Sequence, residues 1–340
     1  METPSSTPSL AIWPALMDCS LAPLTGGLIN QTFRVGEPPR GVLQRLHPIF
    51  RPPVNADIDA VTRHLAARGL TTPRVLPTAD GGLWHLDGEG RCWRALSWVQ
   101  GVTHHKLSDP ALAAAAGRMV GQWHLATADL EHDFAFSRPG AHDTPAHMQT
   151  LRDALTAHPA HRLRAEVAAL ADGVLGAWER WDGRLDLPKR VCHGDLKISN
   201  LLFTPEGEGI CLVDLDTMGL LSLDVELGDA WRSWCNPAAE DADETRFDLA
   251  LFEASARAYL ATAPPSAEER ACLGAGIERI CLELAARFAA DALNEAYFGW
   301  DPAVAPGRGE HNLLRARGQL ALARSVAAQR SAIEAVLGGA

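Results

Sequence analysis

The stretch that most constrains this chain is a short β interlude set between long helical sequences. Over residues 189–216 it reads KRVCHG, then DLKIS, then NLLF and, after a Gly- and Glu-rich turn, GICLVDLD. Apolar runs this short, bounded by turn residues, fit strands and are too brief for helices. The interlude therefore confines its polar residues to strand ends: HGDLKISN falls on the loop after the first strand, and Asp214 and Asp216 fall where the last strand stops.

Those residue types suit one kind of chemistry. An aspartate, Asp195, can orient a hydroxyl and take its proton, while Lys197 on the same loop can stabilise charge on a moving phosphoryl group. Asn200 and Asp214 offer hard oxygens to Mg2+, which takes few protein ligands and leaves room for phosphate oxygens. The plainer alternative makes Asp195, Lys197 and Asn200 turn residues between strands, and HxD alone would not decide. The ordered set decides for chemistry: HGDxKxxN, an apolar strand, a turn, and an apolar strand ending in Asp.

The rest of the chain divides in two. From Leu21 to Trp98 short apolar runs punctuated by Gly and Pro (GGLINQTFRV, GVLQRL, GGLWHL, RCWRALSWV) predict an antiparallel sheet of about five strands. One helix interrupts it, because Val54, Ile58, Val61 and Leu65 recur at helical spacing before Gly69, a C-cap. After Gly101 the texture becomes alanine-rich helix, where Ser108 or Asp109 can cap and Pro110 suits the first turn. Further helices are expected over 143–157, 161–181, 223–235, 243–262, 266–296 and 310–337. The resulting division is a frayed tail over 1–10, an N-terminal lobe over 11–100 and a C-terminal lobe over 101–340.

Composition fits this size. The 340 residues are 47% hydrophobic and 21% charged, enough for more than one core. The net charge of −11, with no Lys/Arg run, argues against nucleic acid or an anionic membrane as partner, and a small molecule is expected instead. The seven cysteines form no CxxC pair, which fits reduced, buried thiols in a cytoplasmic protein. METPSSTPSL has no basic segment before an apolar core, and no apolar run reaches bilayer length, so neither export nor membrane insertion is expected.

HGDLKISN followed by LVDLD resembles the catalytic loop and metal-binding strand of the aminoglycoside phosphotransferase and choline kinase superfamily, itself similar to protein kinases. The β-rich then helix-rich layout extends the resemblance over nearly the whole chain. It implies a protein-kinase-like two-lobe α/β (α+β) fold, with a β-rich N-lobe and a mainly helical C-lobe. By it, Asp195 is the catalytic base, Asn200 and Asp214 bind magnesium, and His193 supports the loop by packing. ATP and Mg2+ are the implied cofactors, and the backbone of the hinge from Ser97 to Gly101, including Trp98 and Val99, is expected to hold adenine.

Upstream, Gly26, Gly27, Asn30 and Thr32 lie where the resemblance implies a loop over the ATP phosphates, with backbone N–H groups as donors. Without the downstream motif, a hairpin turn would account for them. The family's strand-three lysine is missing, since GVLQRL stands there. Strand alternation puts Gln44 and Arg45 on opposite faces, and only Arg45 carries a charge, so Arg45 is expected to replace the lysine. A surface ion pair is the alternative. The usual helix glutamate is also missing, leaving Asp57 or Asp59 as shorter substitutes. A nucleotide-binding pseudokinase is the rival that these departures prompt.

Four stretches, VLQRLHPIF, WRALSWVQG, TMGLLSLDVELGDAWRSW and HNLLRARGQLALA, look like the N-acetylhexosamine 1-kinase branch. That resemblance implies an amino sugar phosphorylated at its anomeric hydroxyl, and Glu226 and Asp229 follow the family's acidic positions. Asp229 and Arg232 are expected to meet the sugar, or else to form a cap or ion pair. Choline, an aminoglycoside or another sugar are the other acceptors; against an aminoglycoside, AIEAVLGGA lacks an acidic cluster. Cys192 reads as a small apolar strand residue more readily than as a nucleophile. Trp231, Trp234 and the Tyr297–Trp300 stretch read mainly as packing.

Overall fold

The computed structural model describes residues 7–24, 29–138, 140–238, 241–242 and 245–339. Strands β1 (Leu21–Leu24), β2 (Gln31–Val35), β3 (Gly41–Arg45), β4 (Val75–Leu76), β5 (His85–Leu86) and β6 (Cys92–Ser97) form one antiparallel sheet. Its order is β1-β2-β3-β6-β4, with β5 pairing β6 at their far end. The sheet thus has six strands where the sequence suggested five, because a strand as brief as β4 carries too little apolar pattern to stand out. In the central register Thr32 faces Gln44, which faces Arg94, while the next row on the opposite face is Phe33, Leu43 and Ala95.

Each face has its own cover. Phe33, Val35, Leu43, Trp93 and Ala95 pack under Trp13 and Leu16, which two 3-10 turns, Leu10–Ile12 and Pro14–Leu16, lay across the sheet. Two residues of the segment expected to fray take part in this cover: Ser9 Oγ accepts from Ala11 N at 3.3 Å, and Leu10 joins this small core. The other face receives α1 (Val54–Ala67), whose Val54, Ile58, Val61 and Leu65 are buried as their spacing predicts. Gly69, at φ +78°, ends the helix with the paired bonds Gly69 N to Ala66 O and Leu70 N to Leu65 O.

After β6 the chain bridges at once to the other lobe, where Val102 and Phe203 exchange both backbone hydrogen bonds. Helices α2 (Pro110–Thr127), α3 (Thr144–Ala157), α4 (Arg164–Arg180), α5 (Leu223–Trp234), α6 (Leu249–Thr262), α7 (Ala267–Asn294), α8 (Arg308–Ala328) and α9 (Arg330–Gly338) build the C-terminal part. Asp109 caps α2 through its side chain, with Pro110 in the first turn, as the sequence indicates. Buried α7 is the central pillar, packed by α3, α4, α5 and α8. The single helix expected over 310–337 is two, because Gln329 turns the chain and donates from Nε2 to Phe247 O at 3.0 Å. That turn lets Ile333, Val336 and Leu337 bury. The helix expected from 243 is described from Leu249, with Asp248 accepting from Ala250 N and Leu251 N. No helix among the described residues is long and apolar enough to cross a membrane.

Helices α2 and α6 touch so closely that a methyl group on Gly117 would overlap the Ser255 carbonyl oxygen. Relief requires backbone movement, because the obstacle is main chain rather than a flexible side chain. Gly117→Ala is therefore expected to destabilise the protein by about 1–3 kcal/mol, read as a lower urea midpoint.

Candidate active site

Strands β7 (Lys189–Cys192), β8 (Leu201–Phe203), β9 (Gly209–Leu212) and β10 (Gly219–Ser222) make two small antiparallel pairs, β7 with β10 and β8 with β9. The loop between β7 and β8 carries HGDLKISN, and the turn after β9 carries Asp214 and Asp216. Strand β10 went unpredicted, because GLLS merges with the apolar start of α5. It leads directly into α5, and α5 is what anchors the loop.

The anchoring is unusually complete. Glu226, buried on α5, accepts from His193 N at 2.7 Å with Oε1 and from Gly194 N at 2.9 Å with Oε2. Trp234 Nε1 donates to Leu196 O at 2.7 Å, and Ser233 Oγ accepts from Ile198 N at 3.2 Å. His193 Nε2 donates to Val213 O at 2.9 Å, which leaves Nδ1 to accept from Asp195 N at 3.3 Å and ties the loop to the end of β9. Gly194 sits at φ +78° with the Thr217 carbonyl against the place a Cβ would occupy, so the bend there admits glycine alone without strain.

This frame presents Asp195 with its side chain 27% exposed. Its Oδ2 accepts from Lys197 Nζ at 2.8 Å and from Asn200 Nδ2 at 3.1 Å, and its carbonyl accepts from the same Asn200 nitrogen at 2.8 Å. Burial works to raise the Asp195 pKa, but Lys197 and Arg232 hold it below the ordinary carboxylate range. Burial likewise works against the Lys197 ammonium, yet Asp195 and Asp214 push its pKa up and keep it charged. Lys197 Nζ stands 4.0 Å from Asp214 Oδ2. The sequence-named set Asp195, Lys197, Asn200 and Asp214 is thus one cluster.

Asn200 spends its amide nitrogen on Asp195, which leaves Oδ1 as the oxygen for a cation. Asp214, at φ +63°, has its carboxyl pushed up by burial and by the neighbouring Asp216 carboxylate. A carboxylate crowded this way beside a free amide oxygen is a donor set that suits a hard divalent cation. Asp229 and Arg232 lie one turn apart on α5, joined by Nη2 to Oδ1 at 2.7 Å and Nε to Oδ1 at 3.1 Å. They form the ion pair weighed as an alternative, yet they sit close enough to act electrostatically on Lys197 and Asp195 respectively.

The nucleotide half differs from expectation. Gly26 and Gly27 lie outside the described residues. Asn30 and Thr32 contribute side chains: Asn30 Nδ2 donates to Asp216 Oδ2 at 2.6 Å, and Thr32 Oγ1 accepts from Gln44 Nε2 at 3.2 Å. Arg45 does not face Asp216; it shares the sheet face of Leu43, turned from α1, and its cross-strand partners are Gln31 and Trp93. The cation on the cleft side is Arg94, which donates to Gln44, Asn55 and Asp216. Asp57 and Asp59 are no substitutes for the helix glutamate either. Asp57 accepts from Ala135 N and Phe136 N, and Asp59 pairs with Arg63. At the hinge, Trp98 N donates to Arg40 O at 3.2 Å and Trp98 Nε1 to Gln100, while Val99 lies between this anchored residue and the Val102 bridge.

Several residues were legible only in part. His124 reaches Glu226 Oε1 at 3.4 Å and Tyr259 Oη at 2.9 Å, a buried support for the loop anchor that no sequence spacing reveals. Cys192 lies beside this pair, and burial raises its thiol far above the usual range, which fits an apolar strand residue. Trp231 and Trp234 are buried, whereas Tyr297 and Trp300 are exposed. A groove of about 550 Å3 between α2 and the β8–β9 turn includes none of the site residues.

The anchor also sets an acid response. Burial works to raise Glu226, but His124 and the Gly194 N–H hold it below the ordinary glutamate range. Glu283, bonded by His142 and Thr144 and likewise opposed by burial, is lowered too. A lowered folded pKa gives stability that is present above the unfolded value of about 4.3 and is lost as pH falls through the folded value. The urea midpoint is therefore expected to drop as pH falls below about 4.3, and Glu226→Gln to flatten part of that slope.

Comparison with known proteins bears on the family and the fold. The model of the phosphotransferase enzyme family matches residues 20–264. A homoserine kinase from Rhizobium etli is 27% identical over 214 residues, 62% of this chain and 61% of that protein. An uncharacterized protein of Deinococcus radiodurans is 30% identical over 209 residues, 56% of this chain and 55% of its own. The chain thus spans less than two thirds of the length of these curated relatives. Among solved structures, a microcompartment-associated aminopropanol kinase superposes with a TM-score of 0.63 at 19% identity, covering 95% of this chain and 96% of that one. At such identity the likeness is one of fold.

Proposed function

Since the chain belongs to the phosphotransferase enzyme family, we propose that it transfers the γ-phosphoryl group of ATP to a hydroxyl of a small metabolite. The observation that carries this reading is the ionised Asp195 carboxylate, held on an anchored loop with Lys197 at 2.8 Å. The acceptor oxygen forms its bond to the γ-phosphorus as the bond to the β-γ bridging oxygen breaks, and the hydroxyl proton passes to Asp195. Lys197 stabilises charge on the phosphoryl oxygens. Magnesium, held by Asn200 and Asp214, would neutralise phosphate charge when bound. The two Asp195 interactions also fix its carboxylate plane, so the hydroxyl meets the oxygen not engaged by Lys197.

The acceptor we favour is an amino sugar, such as an N-acetylhexosamine at its anomeric hydroxyl. The four stretches named above support it, as does the position of the Asp229–Arg232 pair next to the loop. A small amino alcohol is the second reading, favoured by the names of the homoserine kinase and aminopropanol kinase relatives. ADP release from MgATP over a panel of N-acetylhexosamines, homoserine, aminopropanol, choline and aminoglycosides tests both, with phosphorus NMR reporting the site of transfer. Fastest turnover on an N-acetylhexosamine with an anomeric phosphate product is expected. Faster turnover on an amino alcohol would replace the sugar reading, and nucleotide binding with no turnover on any acceptor would leave a pseudokinase.

A further inference from the structure

Buried between the sheet and the turn after β9 is a charged pair that the transfer step does not use. Arg94 on β6 and Asp216 beyond Asp214 are each 1% exposed and joined through both guanidinium Nη atoms. Arg94 also donates to Gln44 Oε1 from Nε at 2.9 Å and Nη2 at 2.7 Å, and to Asn55 Oδ1 from Nη1 at 3.4 Å. These bonds use all five of its N–H groups, so Arg94 has no donor left for a phosphate. Asp216 gains a further donor in Asn30 at 2.6 Å, and Asn30 Oδ1 in turn accepts from His47 N at 2.9 Å. Asn30 and Arg94 of the N-terminal part therefore both bond one carboxylate of the C-terminal part, with Gln44, Asn55 and His47 bonding these two in turn.

That carboxylate lies two residues beyond Asp214, which holds a left-handed backbone, a conformation aspartate tolerates better than most residues with a side chain, and here the chain is tied down on both sides of it. On one side Val213 N donates to Asn200 O at 2.9 Å; on the other, the 3-10 turn Leu215–Thr217 is pinned by Arg94 at Asp216 and by Thr217 Oγ1 on His193 O at 2.9 Å. Well-packed apolar residues can match a buried ion pair in stability, so stability alone does not account for the pair.

We propose that Arg94 is a positioning residue: by fixing Asp216 against the N-terminal sheet, it holds Asp214 in its metal-binding conformation and couples binding of metal and nucleotide to the seating of the two lobes. The inference rests on the reading of Asp214 as a metal ligand. Arg94 stands one strand over from strand three, in register with Gln44.

The test is the apolar pair Arg94→Met/Asp216→Leu, with Arg94→Lys as the conservative variant and Asp216→Asn as the shape-preserving one should the apolar pair fail to fold. The readouts are urea unfolding, amide hydrogen exchange over residues 214–217 in metal-free protein, and binding of Mn2+·ATP. Exchange in that turn is expected to quicken by about tenfold. Mn2+·ATP is expected to bind about 10- to 100-fold more weakly, with Arg94→Lys in between. A folded variant with wild-type exchange and wild-type Mn2+·ATP affinity would overturn the proposal. Wild-type protein that binds Mn2+·ATP yet turns over no acceptor sinks the kinase reading and leaves this one standing; wild-type protein that binds none overturns both.

Discussion

Asp195→Asn is expected to lower turnover by about 10²- to 10⁴-fold while the urea midpoint and Mn2+·ATP affinity stay close to wild type. The amide keeps the shape of the carboxylate and can still accept from Lys197 through its oxygen. It loses the charge that Lys197 and Arg232 sustain against burial, and with it the capacity to take a proton. The loop itself should not move, because its anchors, from Glu226 to the His193 and Gly194 amides and from Trp234 to Leu196 O, do not involve the Asp195 side chain. Single-turnover measurements with saturating MgATP separate this effect from nucleotide binding. Near-wild-type turnover in that variant would remove Asp195 from the role of base.

The second large effect is expected at Asp214. Asp214→Asn should weaken Mn2+·ATP binding and lower turnover by about 10²- to 10³-fold, because a neutral oxygen gives a divalent cation far less than a carboxylate does. Folding should be retained, since the substitution removes repulsion with Asp216 and the side chain is 41% exposed. The rise in thermal midpoint that Mg2+ with ATP gives wild-type protein should shrink to little or nothing. The two variants part on one readout: Asp195→Asn keeps the metal-dependent rise and Asp214→Asn loses it. A full Mg2+·ATP thermal shift in Asp214→Asn would show that the metal sits elsewhere.

Much of the C-terminal half of the site was legible because its signal is local. Asp195, Lys197 and Asn200 lie on one loop, and Asp214 follows one hairpin later, so short apolar runs sufficed to bring them together. The half built on the sheet was not legible in the same way. Alternation told Gln44 and Arg45 apart, but it could not say which sheet face looks to the cleft. Charge favoured Arg45, and tertiary packing put it on the wrong face. Arg94 was visible as a letter in WRALSW, yet its role depends on register with Gln44 and on Asp216, 122 residues downstream. The second aspartate of VDLD is the one clue that sequence offered to that pairing.

The sequence by itself determined most of the strands and helices and the grouping of Asp195, Lys197, Asn200 and Asp214, because turn residues, apolar periodicity and short motifs act over a few residues and need no distant partner. Only the tertiary structure decided which cation enters the cleft, what anchors the loop and why Asp214 can hold a left-handed backbone. Those outcomes follow from buried charges and polar atoms finding partners far apart in the chain, where desolvation penalises every unpaired group and so selects one arrangement.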